Sequence, residues 1–392
     1  MSAPSPAPAD APRSTGFLLL FALANAGAVI SYLPLLTLLL PARIGAIAGD
    51  TRLDLFTITV IAGAAAASLS NIAFGWLSDL YGRRRRWVGL GVVLTAAAYA
   101  AIALATTPVT IVLAIMAFQI AINALLAPFL AIMADEIPDS QKGVAGGLLA
   151  FAAPLASAVG ALLVSLTPSD TVRLLFIPAA VALCVVPLLR TRARPLVAKP
   201  VARTLAPPRD LAIAWVSRLL IQISGAVLSL YLFYYFQSLG PRPGLAASVA
   251  QVLTAAYVLS LPIAVVSGRL SDRIGRRKPF LLGAACAAAL GLIGMTMTRD
   301  FAAASLCFGL FQIGSAVFLA LHSAFATQLL PDPDHRGRDL GLINLTNTLP
   351  SLLGPLLAWA LATPRDFDAV MLALAALAIC GGLLILAIRE RD

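Results

Sequence analysis

The sequence predicts an all-α membrane protein: twelve transmembrane helices in two pseudo-symmetric six-helix bundles. Three observations predict it. Hydrophobic residues make up 60% of the 392 and charged residues only 12%, against about 25% in an ordinary soluble domain. Apolar runs near the roughly 20 residues needed to cross the bilayer hydrocarbon recur from residue 17 to residue 388. Several short words also repeat at one fixed offset of 193 residues.

The runs place spans at 17–40, 55–78, 87–106, 108–134, 143–167, 171–190, 211–238, 245–268, 280–298, 301–329, 340–362 and 367–388. The divisions at Thr106–Pro108 and Thr298–Phe301 rest on symmetry as much as on hydropathy. Residues 1–16, rich in Ala, Pro and Ser, read as a disordered cytoplasmic N-terminus. They lack the basic flank of a signal peptide, and the apolar run that follows is too long for one. Residues 17–190 then form an N-terminal six-helix bundle, 191–210 an Arg/Pro-rich cytoplasmic linker, 211–388 a C-terminal six-helix bundle and 389–392 a cytoplasmic C-terminus.

The net charge of +10 reports topology. With both termini in the cytoplasm, 21 of the 28 basic residues fall on the inner side, six on the outer side, and Arg218 alone inside a span. That is the positive-inside bias, and it removes the case for a nucleic-acid partner. Cys184, Cys286, Cys307 and Cys380 all lie in spans and read as small apolar fillers. The chain offers no metal-ligand cluster, no nucleotide loop and no nucleophile–base set, so neither an enzyme nor a cofactor is expected.

The repeats carry the two-half reading. Gly75-Trp76-Leu77-Ser78-Asp79 returns as Gly268-Arg269-Leu270-Ser271-Asp272, and Gly82-Arg83-Arg84 as Gly275-Arg276-Arg277. Phe118-Gln119-Ile120 returns as Phe311-Gln312-Ile313, and Pro138-Asp139 as Pro331-Asp332. One register across all four words gives halves with the same order and the same in–out orientation.

The loop Gly75-x-x-x-Asp79-x-x-Gly82-Arg83-Arg84 resembles the signature loop of the major facilitator superfamily. Its second copy matches better, because Arg273 follows the aspartate where the first copy has Leu80. More loosely, Asp135-Glu136-Ile137-Pro138-Asp139 and Arg336-Gly337-Arg338-Asp339 resemble the sugar-transporter-like branches. The resemblance implies a secondary active or facilitative transporter working by alternating access. It also implies gating by these loops, with Asp79 facing the start of the eleventh helix and Asp272 the start of the fifth. A carboxylate at a helix N-terminus is favourable by about 0.3–1 kcal/mol when exposed. Glycine at Gly75, Gly82, Gly268 and Gly275 suits tight turns and close packing. Arg83 or Arg84 is expected to pair with Asp135 or Glu136, and Arg276 and Arg277 are their counterparts. Arg85 and Arg86 read mainly as topological charge.

Polar side chains inside spans are costly in hydrocarbon and face a cavity or another helix. The candidates for substrate binding are Asn25, Tyr32, Gln119, Asn123, Arg218, Gln222, Tyr231, Gln312, His322, Asn344 and Asn347. The first, fourth, seventh and tenth helices, which line the cavity in the superfamily, carry most of them. Each has a plainer alternative: an interhelical hydrogen bond for Asn and Gln, an interfacial belt for the tyrosines (Tyr235 above all), and a packed side chain for His322. Arg218 can snorkel, pair within the bundle or bind substrate.

The expected cargo is a small polar organic solute such as a sugar or glycoside, with protons as a candidate coupling ion and the lipid bilayer as surroundings. No Asp or Glu lies at mid-span, and Phe56–Ser78 lacks the extra acids of melibiose-like sodium symporters. The Gly-Pro-x-x-Gly-Gly pattern of drug/proton antiporters is also missing from the fifth span. Drug efflux and a non-transporting receptor or assembly subunit stand as alternatives. A monomer in a bacterial inner membrane is expected.

Overall fold

A computed structural model describes residues 12–166, 169–194, 208–328, 336–363 and 366–388; side chains are described for these except at 50, 134, 139–140, 142–143, 170–171, 208, 272, 323–345 and 347–348. Its helices are α1 (Thr15–Pro34), α2 (Leu40–Ala48), α3 (Arg52–Tyr81), α4 (Arg84–Leu104), α5 (Pro108–Glu136), α6 (Asp139–Leu149) and α7 (Ala152–Leu166). They continue as α8 (Asp170–Leu189), α9 (Pro208–Ser238), α10 (Leu245–Ile274), α11 (Lys278–Thr296), α12 (Phe301–Gln328), α13 (Arg336–Leu361) and α14 (Asp368–Leu386). Among the described residues eleven stretches are long and apolar enough to cross a membrane, and α13, with its apolar part Leu349–Leu361, supplies the twelfth. The chain is a multi-pass membrane protein of the expected fold class.

The two connections that hydropathy left open are built by caps. Thr107 and Thr110 form a reciprocal capping box ahead of Pro108, the favoured first-turn residue. Asp300 accepts from the Ala303 N–H at 2.8 Å, and Arg299 pairs with Asp368 at 2.6 Å.

Several expected boundaries need correction. Residues 13–16 are ordered: Ser14 caps α1, accepting from the Phe17 N–H at 3.2 Å, and Arg13 is engaged as described below; residues 1–11 lie outside the described residues. The first span does not stop at 40. After Pro34 the chain passes through a π turn, Leu35–Leu39, and continues as α2. Pro41 does not end the run because it sits in the first turn of α2, where its missing N–H has no intrahelical partner to lose. Only a 3₁₀ turn, Gly49–Thr51, separates α2 from α3. The expected fifth span is two helices, α6 and α7, interrupted at Ala150–Phe151, because Pro154 has no N–H to bond the Ala150 carbonyl. Helix α9 starts at Pro208, inside the expected linker, of which 195–207 lies outside the described residues. Finally, α3 and α10 run on to Tyr81 and Ile274, so Gly75–Asp79 and Gly268–Asp272 belong to helices rather than to loops.

Contacts group the chain into two units: Met1–Leu35 with Ala62–Lys199, and Leu36–Ile61 with Pro200–Asp392. The first unit breaks off inside the π turn, after Leu35, and resumes inside α3, at Ala62. In the first unit α1 packs on α7 and α8, and α4 on α5 and α8. Phe21 stacks on Phe129 at 4.3 Å, and the Tyr99 hydroxyl donates to the Ser31 carbonyl at 2.5 Å. Cys184 fills the space against Gly27, where an added Cβ would come within 2.6 Å of it. In the second unit α11 packs on α12 and α14, and α9 on α13 and α14. Here the segment Leu36–Ile61 is held by aromatic side chains of α9. Phe56 meets Tyr231 and Tyr234 edge-on at 5.2 Å, and the Tyr234 hydroxyl donates to the Pro41 carbonyl at 3.3 Å. Tyr235 is not an interfacial belt residue: it is buried and donates to the Met295 carbonyl at 2.8 Å.

Apolar side chains at the helix surfaces stay exposed, Leu104 at 80% and Leu183 at 76% among them. Bilayer hydrocarbon, not water, is the solvent such a surface fits.

Candidate functional site

The first unit concentrates charge at one end. Gly82 (φ 60°) and Arg83 (φ 57°) reverse the chain in the left-handed region, the first position suiting glycine. Helix α4 therefore begins at Arg84 and carries Arg84 and Arg85 back over the ends of α3 and α5. Arg84 forks across three partners: Nε meets Asp135 Oδ2 at 2.5 Å, Nη2 meets Asp79 Oδ1 at 2.8 Å, and Nη1 donates to Ser78 Oγ at 3.0 Å. Asp79 closes α3 at its negative end, an unfavourable place for a carboxylate, and the guanidinium offsets that.

Beside this fork lies a more deeply buried one. Glu136, 4% exposed, receives Arg85 through two nitrogens, at 2.5 Å and 3.0 Å, and also pairs with Arg13. Arg85 further donates to Thr191 Oγ1 at 3.0 Å and to the Arg192 carbonyl at 3.3 Å. Arg13 exchanges hydrogen bonds with Gln141 at 2.7 and 2.9 Å and lies 4.2 Å over the Phe17 ring. Burial lowers the pKa of the Arg13 guanidinium from its ordinary value; Glu136 opposes the shift and Arg85 reinforces it. The expected arginine–acid pairing is present, with a correction: Arg84 and Arg85 make it, while Arg83 is an exposed turn residue. Arg85, expected to act mainly as topological charge, is a paired side chain. Five segments meet at this cluster: the N-terminal stretch, α4, α5, α6 and the end of α8.

The second unit repeats the turn without repeating the cluster. Gly275 (φ 71°) closes α10, its N–H donating to the Ser271 carbonyl at 3.0 Å. Arg273 and Arg276 are exposed and Arg277 is half-buried. Ser271 matches Ser78 in the repeat, yet its fully buried Oγ has no hydrogen-bond partner among the described residues. The side chain of Asp272 lies outside the described residues. Gly75 and Gly268 are not at close helix contacts among the described residues: a Cβ at either would meet nothing within 4 Å of them.

Of the polar residues expected to bind substrate, those in the first unit are largely engaged with protein. Asn123 accepts from Asn71 Nδ2 at 2.9 Å and donates to the Gln119 carbonyl at 2.8 Å. Gln119 packs along α3, where a Cβ on Gly63 would sit 3.3 Å from it. Asn25 reaches the Leu149 carbonyl at a long 3.5 Å, and Tyr32 is half-buried. The sequence reading missed Asn71; an amide inside an apolar span was the signal for it.

In the second unit a cavity of about 290 Å³ is lined by Gln222, Gly225 and Ser229 of α9, Tyr257 of α10, Gln312 and Ser315 of α12, and Pro350 of α13. The volume lies at the lower edge of the range for small-ligand sites. Tyr257 is hydrogen-bonded to Ser229, and Gly225 leaves the floor open, an added Cβ standing 3.8 Å from Ser315 Oγ. Among the described residues no charged side chain lines it. Gln222 and Gln312 were expected here; Ser229 and Tyr257 were missed, since serine and tyrosine in a span resemble helix filler.

The other expected residues of this unit lie elsewhere. Tyr231 is buried against Thr57, hydroxyl to Oγ1 at 2.7 Å, beside a separate small cavity that Asp54 and Trp359 also line. The Arg218 Nε donates to Thr346 Oγ1 at 3.2 Å, an interaction within the bundle. His322 has Nε2 at 2.9 Å from the Ala214 carbonyl, which assigns the proton to that nitrogen; its ring lies on Phe318, and its buried Nδ1 has no partner among the described residues. The side chains of Asn344 and Asn347 lie outside the described residues.

A family model described as Major Facilitator Superfamily matches residues 15–241 and again 211–392. No curated protein matches the chain. Among solved structures, a nucleoside transporter, NupG, is 14% identical, with 95% of this chain and 100% of that one covered and a TM-score of 0.73. A D-xylose–proton symporter is 13% identical, with 96% and 98% covered and a TM-score of 0.71. A bacterial homologue of the human lysosomal transporter Spinster is 14% identical, with 95% of each chain covered and a TM-score of 0.66. At these identities the likeness is one of fold.

Proposed function

The chain belongs to the major facilitator superfamily, and from that premise we propose that it transports a small, uncharged polar organic solute, such as a sugar or glycoside, by alternating access. The observation that carries this reading is the lining of the second unit's cavity: two side-chain amides, two serine hydroxyls and a phenol. Amides and hydroxyls both donate and accept, which complements a ligand that does the same around its whole perimeter. A carboxylate or ammonium would enter such a site without a counter-charge, at a large desolvation cost.

The test is uptake into proteoliposomes from a panel of neutral sugars, glycosides and nucleosides, with organic acids and lipophilic cations for comparison. Gln222→Ala and Gln312→Ala are each expected to lower uptake of the transported neutral solute about tenfold, the equivalent of about 1.4 kcal/mol. Uptake confined to the charged or lipophilic compounds, or unchanged in both variants, overturns the reading.

Proton coupling is a second reading, favoured by the buried His322, whose Nδ1 has no partner among the described residues. His322→Gln is expected to abolish the response of uptake to an imposed pH gradient while sparing solute exchange at equal pH. A retained response removes His322 from the coupling path.

A further inference from the structure

Helices α10 and α11 each pack on α12 and leave a furrow between them, an apolar groove of about 360 Å³. Its walls are Ile263 and Ser267 of α10, Pro279, Gly283 and Ala287 of α11, and Val317 of α12. Along α10 the neighbouring Leu259, Val266, Leu270 and Ile274 are exposed, so this face of the unit belongs to the bilayer, and whatever fills the groove comes from there.

Two features select the occupant. The first is length. Pro279 to Ala287 is eight residues, about 12 Å at the helical rise, close to the roughly 15 Å of hydrocarbon in one leaflet. The second is charge. The groove ends where α10 turns into α11, and the last turns of α10, the turn itself and the first residue of α11 hold Arg269, Arg273, Arg276, Arg277 and Lys278 within ten residues. Pro279, on the groove wall, directly follows Lys278. Arg269, Arg273 and Arg276 are exposed there, while Lys278 is spanned across to the Ile388 carbonyl at 2.5 Å. A greasy slot one leaflet deep with a cationic mouth matches the two halves of one molecule.

We propose that this groove is a binding site for an anionic phospholipid. One acyl chain lies between α10 and α11 along Gly283, and the headgroup phosphate is held at the mouth by Arg273 and Arg276. Basic clusters at the membrane surface beside helix ends attract anionic headgroups, and each methylene buried adds to retention. The first unit's equivalent turn cannot serve in the same way, since Arg84 and Arg85 there are committed to Asp79, Asp135 and Glu136.

The experiment uses the full chain purified in detergent, titrated with dioleoyl phosphatidylglycerol or with dioleoyl phosphatidylcholine. Thermal stability and the lipid retained per chain by native mass spectrometry are both read. Phosphatidylglycerol is expected to bind saturably, one per chain, and to raise the Tm; phosphatidylcholine, with the same chains, is not. Arg273→Gln with Arg276→Gln, both exposed positions, should weaken phosphatidylglycerol roughly thirtyfold. Gly283→Leu fills the slot where an added Cβ meets nothing within 4 Å, and should abolish retention without loss of folding. Equal binding of the two lipids overturns the headgroup assignment. Retention that survives Gly283→Leu overturns the acyl seat, and a dimer broken by Gly283→Leu with no lipid released gives the groove to a second copy of the chain. Should Gly283→Leu fail to fold, the double arginine variant still decides: unchanged selectivity for phosphatidylglycerol overturns the proposal.

Discussion

Asp79 and Glu136 belong to neighbouring ionic forks, yet they should answer mutation in opposite ways. Glu136 is 4% exposed and pairs with both Arg85 and Arg13, whereas the Asp79 side chain is 64% exposed and shares Arg84 with Asp135. Removing one member of a buried pair leaves the other charge uncompensated, at about 3–5 kcal/mol; an exposed pair is worth about 0–1 kcal/mol. Glu136→Ala is therefore expected to lower the unfolding temperature of the purified protein sharply, and Asp79→Asn hardly to move it. Asp79→Asn should instead reduce transport and raise cysteine accessibility from the membrane side that carries Asp79, if Asp79 is the latch the family resemblance implies. Normal transport and accessibility in that variant refute the latch. The run of four arginines showed that this turn is basic, but not which arginine does what. Those roles follow from two consecutive left-handed residues, Gly82 and Arg83, which decide where each side chain points.

At the scale of elements, glycines that look alike in sequence have different work. A Cβ on Gly91 would stand 2.4 Å from the Leu125 backbone nitrogen, where α4 and α5 cross. Overpacking such a contact costs about 1–3 kcal/mol, so Gly91→Ala should lower thermal stability measurably. Gly75→Ala, in the signature segment, should not: its Cβ meets nothing, and alanine is favoured over glycine inside a helix by roughly 0.5–1 kcal/mol. Thermal unfolding of the two variants side by side checks this; equal losses would mean that α3 packs differently from the description above. The same scale holds the breaks that hydropathy smoothed over, the π turn Leu35–Leu39 and the gap between α6 and α7. An apolar scan sees one continuous run in each place, because prolines alter backbone hydrogen bonding without altering hydrophobicity. Sites of this kind let a long helix bend at a defined point.

For the whole molecule, the expected signature of function is ligand stabilisation. A solute present at a hundred times its dissociation constant adds about 2.7 kcal/mol to the folded state. Neutral polyhydroxylated compounds should therefore raise the Tm of the wild-type chain and, at the same concentration, raise that of Gln312→Ala only about half as much. Stabilisation undiminished in Gln312→Ala and Gln222→Ala places the solute outside the second unit's cavity. The two halves repeat at one offset, yet they have diverged where chemistry is concerned. Gln119 packs along α3, while its counterpart Gln312 lines a cavity; Ser78 is bonded by Arg84, while its counterpart Ser271 has no partner among the described residues.

The sequence by itself determined that this chain lies in a membrane, that it crosses it about twelve times and that its halves are duplicates. Composition, run length and repeat offset are linear properties, and the bilayer imposes them residue by residue. Only the tertiary structure decided which polar residues are spent on neighbours and which face open space. Asn123 and Tyr231 were as plausible for binding as Gln312, yet Asn71 and Thr57 are bonded to them, while Gln312 lines the second unit's cavity. Whether a side-chain amide binds a ligand or a neighbouring helix depends on what stands opposite it, and its partner here lies fifty or more positions away along the chain. The signature segment likewise keeps its family identity, while Arg84 proved to be its half-buried, bonded arginine, Arg83 an exposed turn residue and Asp79 the exposed partner of Arg84.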